Sequence, residues 1–127
     1  MSKFIFVLLM VSCLAGATPP FAAETAAPLP EIPSKDQVTM LNVGVEICLS
    51  CQRMMSIIKE LEREYRGKVA VIYVELPKHR EVSAKYELRS VPTQIFFDKG
   101  GKEKFRHEGY LSKKRCVGVL EKMGVKR

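Results

Sequence analysis

Val43-Gly44-Val45-Glu46-Ile47-Cys48-Leu49-Ser50-Cys51-Gln52-Arg53-Met54-Met55 is the stretch on which the reading of this 127-residue chain turns. Upstream of it, Val38 to Val45 is a mostly apolar run of strand length, the pattern expected in a sheet covered on both faces. Downstream, Cys51, Met54, Met55, Ile58, Leu61 and Tyr65 fall at helical spacing and form an apolar stripe interrupted only by Glu62. Gly67 stands where such a helix would end. A pair of cysteines therefore lies at a strand-to-helix junction.

Working outward, Val69 to Val74 is a second β-branched strand closed by Pro77, and Arg80 to Leu88 is a short helix on which Val82 and Tyr86 share a face. Thr93 to Phe97 is a third strand. Asp98-Lys99-Gly100-Gly101 is a turn by composition, and Lys102 to His107 returns as a fourth strand. Ser112 caps a last helix with apolar positions Cys116, Val119, Leu120 and Met123. The order β-α-β-α-β-β-α predicts an α/β domain over residues 36–127. Its small mixed four-stranded sheet is flanked by helices, with a parallel right-handed crossover and a late antiparallel hairpin.

Residues 24–35 carry Pro28, Pro30 and Pro33 and are expected to form an extended tether outside the fold. Residues 1–23 combine Lys3, the apolar run from Phe4 to Val11 and the small residues Ala15-Gly16-Ala17, the three parts of a signal peptide. Cleavage is expected after Ala17 or Ala23. The apolar stretch falls short of the ~20 residues needed to span a bilayer. Cys13 offers lipid anchoring as an alternative to plain cleavage. The expected destination is the periplasm or the cell exterior.

Composition excludes some classes. With 46% apolar and 28% charged residues, neither whole-chain disorder nor a collagen-like repeat fits. The net charge is +7; losing Lys3 with the leader leaves 20 basic against 14 acidic residues. A basic surface suits an acidic partner, but no aromatic-basic interleaving and no glycine-rich phosphate loop points to nucleic acid or nucleotide. No cofactor and no metal are expected. Without Cys13 the chain holds Cys48, Cys51 and Cys116, so at least one thiol is left without an intramolecular partner.

Four explanations compete for Cys48-Leu49-Ser50-Cys51. A zinc half-site needs a second close pair, whereas Cys116, His79 and His107 are scattered. Haem attachment needs histidine where Gln52 stands. As a staple, so short a loop gains only ~2 kcal/mol of chain entropy, against ~4.7 for a loop of a hundred residues. A reversible dithiol fits the position best. Orphan amides and the macrodipole at a helix start favour the thiolate of Cys48, which becomes the nucleophile, with Cys51 one turn deeper as the resolving thiol. An ordinary cysteine is a few per cent ionised at pH 7, whereas one brought to ~7 is half ionised. Glu46 and Arg53 flank the pair with opposite charges.

From Val38 to Gly124 the chain resembles the thioredoxin superfamily. The resemblance rests on the C-x-x-C at the junction, on Val91-Pro92-Thr93-Gln94-Ile95-Phe96-Phe97 with Pro92 44 residues beyond Cys48, on the Gly100-Gly101 hairpin and on Gly109. It implies a redox-active Cys48–Cys51 disulfide, a cis Pro92 packed beside it, and a Val91 backbone that binds substrate strands. Clients would be proteins with thiols or disulfides; in an exported compartment the protein could oxidise client thiols, or reduce selected disulfides with electrons from a membrane-embedded thiol reductase. Direction leans to reductant or electron carrier, because an inserted peptide-binding domain is missing. The alternative is a redox-inactive binding module, with the pair as a static clip or metal-delivery ligands.

Several positions depart from the family pattern. Ile47 replaces tryptophan, Leu49-Ser50 replaces Gly-Pro, Asn42 replaces a buried proton-relaying acid, Ser56 replaces a kinking proline, and an N-terminal strand and helix are missing. Elsewhere Cys116 reads as a packed small hydrophobe, His79 and His107 as surface residues, and Met54-Met55 as core. Lys113-Lys114-Arg115 and Lys126-Arg127 read as solvated cations near helix ends, with docking to an acidic protein or anionic membrane as the alternative.

Overall fold

A computed structural model describes residues 26–127. The expected leader at 1–23, with its cleavage sites and Cys13, lies outside the described residues.

Strands β1 (Val38–Gly44), β2 (Val69–Glu75), β3 (Thr93–Phe97) and β4 (Glu103–Glu108) form one sheet in the order β2-β1-β3-β4. β1 pairs parallel with β2, Val38 opposite Val69 and Gly44 opposite Glu75. It pairs antiparallel with β3, Asn42 opposite Gln94, and β3 pairs antiparallel with β4. The mixed four-stranded sheet is as the β-α-β-α-β-β-α order requires.

Alternation along the strands sorts side chains between two cores. Val38, Met40, Val69 and Phe96 meet α1 (Leu49–Glu64) and α3 (Lys113–Lys122) through Met54, Ile58, Leu61, Cys116 and Leu120. Ile57 and Val117 are buried too, because each helix packs between the sheet and its neighbour and needs a wider stripe than the seam alone. On the other face Leu41, Val43, Ile72, Ile95 and Phe97 meet Val82 and Tyr86 at α2 (Glu81–Lys85). This helix is shorter than the expected Arg80–Leu88, since Glu87 takes φ +50° and ends the helical path. With Ser56 in place of proline, α1 runs without interruption over 16 residues.

The proline-rich stretch corrects an expectation. Its described part, residues 26–35, carries no regular element, as its composition predicts, yet it is not outside the fold. Ile32 is buried in the α2-side core, its carbonyl accepts from Tyr86 Oη at 2.9 Å and Lys85 Nζ at 3.4 Å, and Thr39 Oγ1 accepts from Ser34 N at 2.9 Å. Burying such a side chain contributes about 2 kcal/mol towards holding the segment against the sheet, alongside these hydrogen bonds. The Ile32–Pro33 bond is cis.

Candidate redox site

β1 ends at Gly44, a short turn follows in which Cys48 N donates to Val45 O at 3.3 Å, and α1 begins at Leu49. Cys48 is the N-cap of α1. Its backbone is extended, and its Sγ accepts from Cys51 N at 3.3 Å, so sulfur satisfies one of the helix's four orphan donors. Ser50 Oγ lies 3.1 Å from the same sulfur. Both cysteines are free thiols, Cys48 half-exposed and Cys51 buried.

These contacts split the two thiols. Cys48 is held below the ordinary cysteine value, first by a hydrogen bond from the Cys51 thiol, then by the Ser50 hydroxyl and the Cys51 amide. Cys51 is pushed up to about 11 by burial first, then by its bond to Cys48 and the charge there, with Val45 N–H opposing. The contacts favour the thiolate at Cys48 and oppose it at Cys51. This is the asymmetry that thiol–disulfide exchange uses, a nucleophile that ionises and a second thiol that acts later.

Packing around Cys51 leaves little room. A Cβ on Gly44 would stand 3.2 Å from Tyr73 Cε2 and 3.3 Å from both Cβ and Sγ of Cys51. Gly44 is the last residue of β1, where the backbone passes close to this thiol. A cavity of about 290 Å³ lined by Val45, Glu46, Cys51, Gln52, Met55 and Tyr73 reaches the thiol from the β2 side. Gln52 Nε2 donates to the Glu46 carbonyl at 2.8 Å, fixing that rim, while burial holds the Tyr73 hydroxyl at about 12. Of the two charges flanking the pair, Glu46 lines this cavity; Arg53 is exposed on α1 and does not line it.

Pro92 is buried and its bond to Val91 is cis, the isomer that the resemblance implies. Val43 pairs with Thr93, so the register brings Pro92 level with Gly44, at the end of β1 from which Cys48 follows. The Pro92 carbonyl accepts from Gly109 N at 2.7 Å, which fixes the start of β3 to the end of β4. The site's flanks are apolar and open: Ile47 is 94% exposed and Leu49 64%. Asn42 is fully buried, and its Oδ1 accepts from Gln94 Nε2 at 2.9 Å. Two amides, not an acid, occupy this layer of the sheet.

The other candidates lie apart. His79 faces Glu81 at 3.4 Å beside α2, and His107 Nε2 lies 3.1 Å from Tyr110 O at the end of β4. Cys116 is buried in α3, pushed up to about 12 by burial. Met54 Sδ accepts from Leu111 N at 3.3 Å within the core. Sequence reading missed Ser50 as a donor to Cys48, since a hydroxyl two residues on carries no spacing signal.

The profile of the thioredoxin-like domain family matches residues 27–124. Among curated relatives, a thioredoxin of Staphylococcus aureus is 31% identical over 67% of this chain and 81% of its own length. One of Rickettsia bellii is 28% identical over 68% of this chain and 82% of its own. Among solved structures, the germline thioredoxin Deadhead of Drosophila melanogaster superposes with a TM-score of 0.62 at 25% identity, covering 68% of this chain and 81% of that one. The exposed lipoprotein thioredoxin of Streptococcus pneumoniae gives 0.64 at 22%, covering 69% and 86%. The chain belongs to the thioredoxin-like domain family and is a thiol–disulfide oxidoreductase of the thioredoxin type.

Proposed function

We propose that this protein is an exported reductant of protein disulfides, with Cys48 as nucleophile and Cys51 as resolving thiol. The Cys48 thiolate attacks one sulfur of a client disulfide; a mixed disulfide forms and the other client sulfur leaves as a thiolate. Cys51 then loses its proton, attacks Cys48 Sγ and releases the second client thiolate. Two electrons pass to the client, which takes up two protons, and the protein is left with a Cys48–Cys51 disulfide. A membrane-embedded thiol reductase returns the electrons. The observation that carries this reading is the Cys48 sulfur in the N-cap position, accepting from Cys51 N and beside Ser50 Oγ.

Val91 and Pro92 receive the client in this reading. Val91 precedes β3 and is half-exposed, so its backbone is available to pair with an extended segment, while Ile47 and Leu49 offer apolar contact beside the attacking sulfur. Residues 1–23 direct the chain out of the cytoplasm. Mass measurement of the exported protein should give a chain beginning at Thr18 or Glu24; an intact N-terminus would contradict export by cleavage.

The test is a Cys51→Ser trap. Clients should accumulate as mixed disulfides on Cys48, and the midpoint potential should lie towards the reducing end of the family range, near the ~−270 mV of thioredoxin itself and not the ~−120 mV of a strong oxidant. No trapped client would favour a static clip, and an oxidising potential would reverse the direction. Asn42 bears on resolution: with an amide in place of a buried acid, proton loss from Cys51 depends on Glu46, solvent or the client. Asn42→Asp should therefore change the pH dependence of client release. An unchanged profile would contradict a relay at this position.

A further inference from the structure

The Lys113-Lys114-Arg115 run, read from sequence as a solvated helix face, borders a groove. At the far end of the sheet from Cys48, Lys104 and Phe105 of β4 and Lys114, Arg115, Gly118 and Lys122 of α3 line an opening of about 920 Å³. Phe105 pairs with Phe96, which pairs with Met40 near the start of β1, whereas Cys48 follows the end of that strand. An occupant here leaves the thiol free.

Three observations characterise what would fit. The first is charge. Asp98, the single acid lining the groove, is already engaged: it accepts from Gly100 N and Lys102 N and lies 3.6 Å from Lys104 Nζ. Lys113, on the neighbouring flank of α3, is neutralised by Glu60 and Glu64. Lys114, Arg115 and Lys122 have no ion-pair partner among the described residues, so the groove presents three unbalanced cations. The second is its floor. Phe105, held edge-on against Phe96 at 5.7 Å, and Val119 and Met123 are only partly buried, leaving apolar surface between those cations. The third is Gly118. Glycine inside a helix costs about 1 kcal/mol against alanine, and here no packing requires it, since an added Cβ would meet nothing within 4 Å. Its one consequence is a clear wall.

We propose that the groove between β4 and α3 docks an acidic protein segment bearing a large apolar side chain. Carboxylates of that segment pair with Lys114, Arg115 and Lys122, and the apolar side chain enters over Gly118 onto Phe105, Val119 and Met123. Charge complementarity selects an acidic occupant, and an apolar floor below the cations selects side chains over phosphates. A bilayer face is flat and reaches the rim only. This docking is independent of the direction of disulfide exchange.

The test uses the whole protein and a fluorescein-labelled peptide, Glu-Glu-Leu-Glu-Glu-Leu-Glu-Glu, followed by anisotropy at low salt. The parent should bind saturably, and Lys114→Glu with Arg115→Glu should weaken binding about tenfold or more. The same charge change at exposed Lys59 and Arg66 should weaken it less than about threefold. Gly118→Leu, which fills the wall and raises helix propensity, should abolish binding while the melting temperature does not fall and disulfide exchange proceeds at the parental rate. A peptide with both leucines replaced by serine should lose most of its affinity. The proposal is overturned by no binding to the parent, by equal binding to Gly118→Leu, by equal binding of the serine peptide, or by a preference for phosphatidylglycerol vesicles or single-stranded DNA over the leucine peptide.

Discussion

Helices α1 and α3 start in the same way and do different things. In each, an N-cap side chain accepts from the backbone N–H three residues on: Cys48 Sγ from Cys51 N at 3.3 Å, Ser112 Oγ from Arg115 N at 3.4 Å. Each then buries a cysteine in its first turns, Cys51 and Cys116, and burial raises both thiols. What differs is the atom at the cap. A serine oxygen there does not ionise near neutral pH, so the helix field at α3 goes into stability. A cysteine sulfur in the same place can ionise, and hydrogen bonds from the Cys51 thiol, the Ser50 hydroxyl and the Cys51 amide favour its thiolate. Position at a helix mouth is therefore not enough; the titratable atom must be the capping atom.

The comparison is broken most sharply by giving α1 the cap of α3. Cys48→Ser should leave the fold within about 1 kcal/mol of the parent, because serine caps well, while disulfide exchange falls by about a thousandfold or more. Denaturant unfolding and client reduction read the two effects. Removing the other cap should do the reverse: Ser112→Ala should lower stability by about 1 kcal/mol and leave the exchange rate unchanged. Smaller still is Ser50→Ala, which removes one donor to the thiolate; alkylation of Cys48 at pH 7 should slow by about threefold, with unchanged unfolding. Cys116→Ala should not alter exchange, and any loss of client reduction there would mean that the third thiol takes part.

Much of this was legible in the chain. Periodicity of 2 and 3.6 separated the strands from the helices, and the Cys48–Cys51 spacing at a junction of the two pointed to the chemistry. The misses share a cause. Ile32 stands alone between prolines, so no periodicity marks it, and the side chains that bond its carbonyl, Lys85 and Tyr86, lie more than fifty residues away. Ser50 has no pattern value until its hydroxyl meets a sulfur. The basic run of α3 reads as an ordinary solvated face until β4 is laid beside it and Phe105 supplies a floor. Contacts made across the sheet are invisible to a reading that proceeds along it.

The central claim is that the sulfur at the mouth of α1 is an anion when other cysteines are not. Iodoacetamide kinetics across pH, with each modified residue identified by mass, test it directly. A lowered ionisation means the thiolate is populated as pH rises through a value below the ordinary ~8.5, so Cys48 should stay reactive at pH 7 and below, while Cys51 and Cys116 stay silent until strongly alkaline pH. A Cys48 profile that coincides with free cysteine would contradict the account.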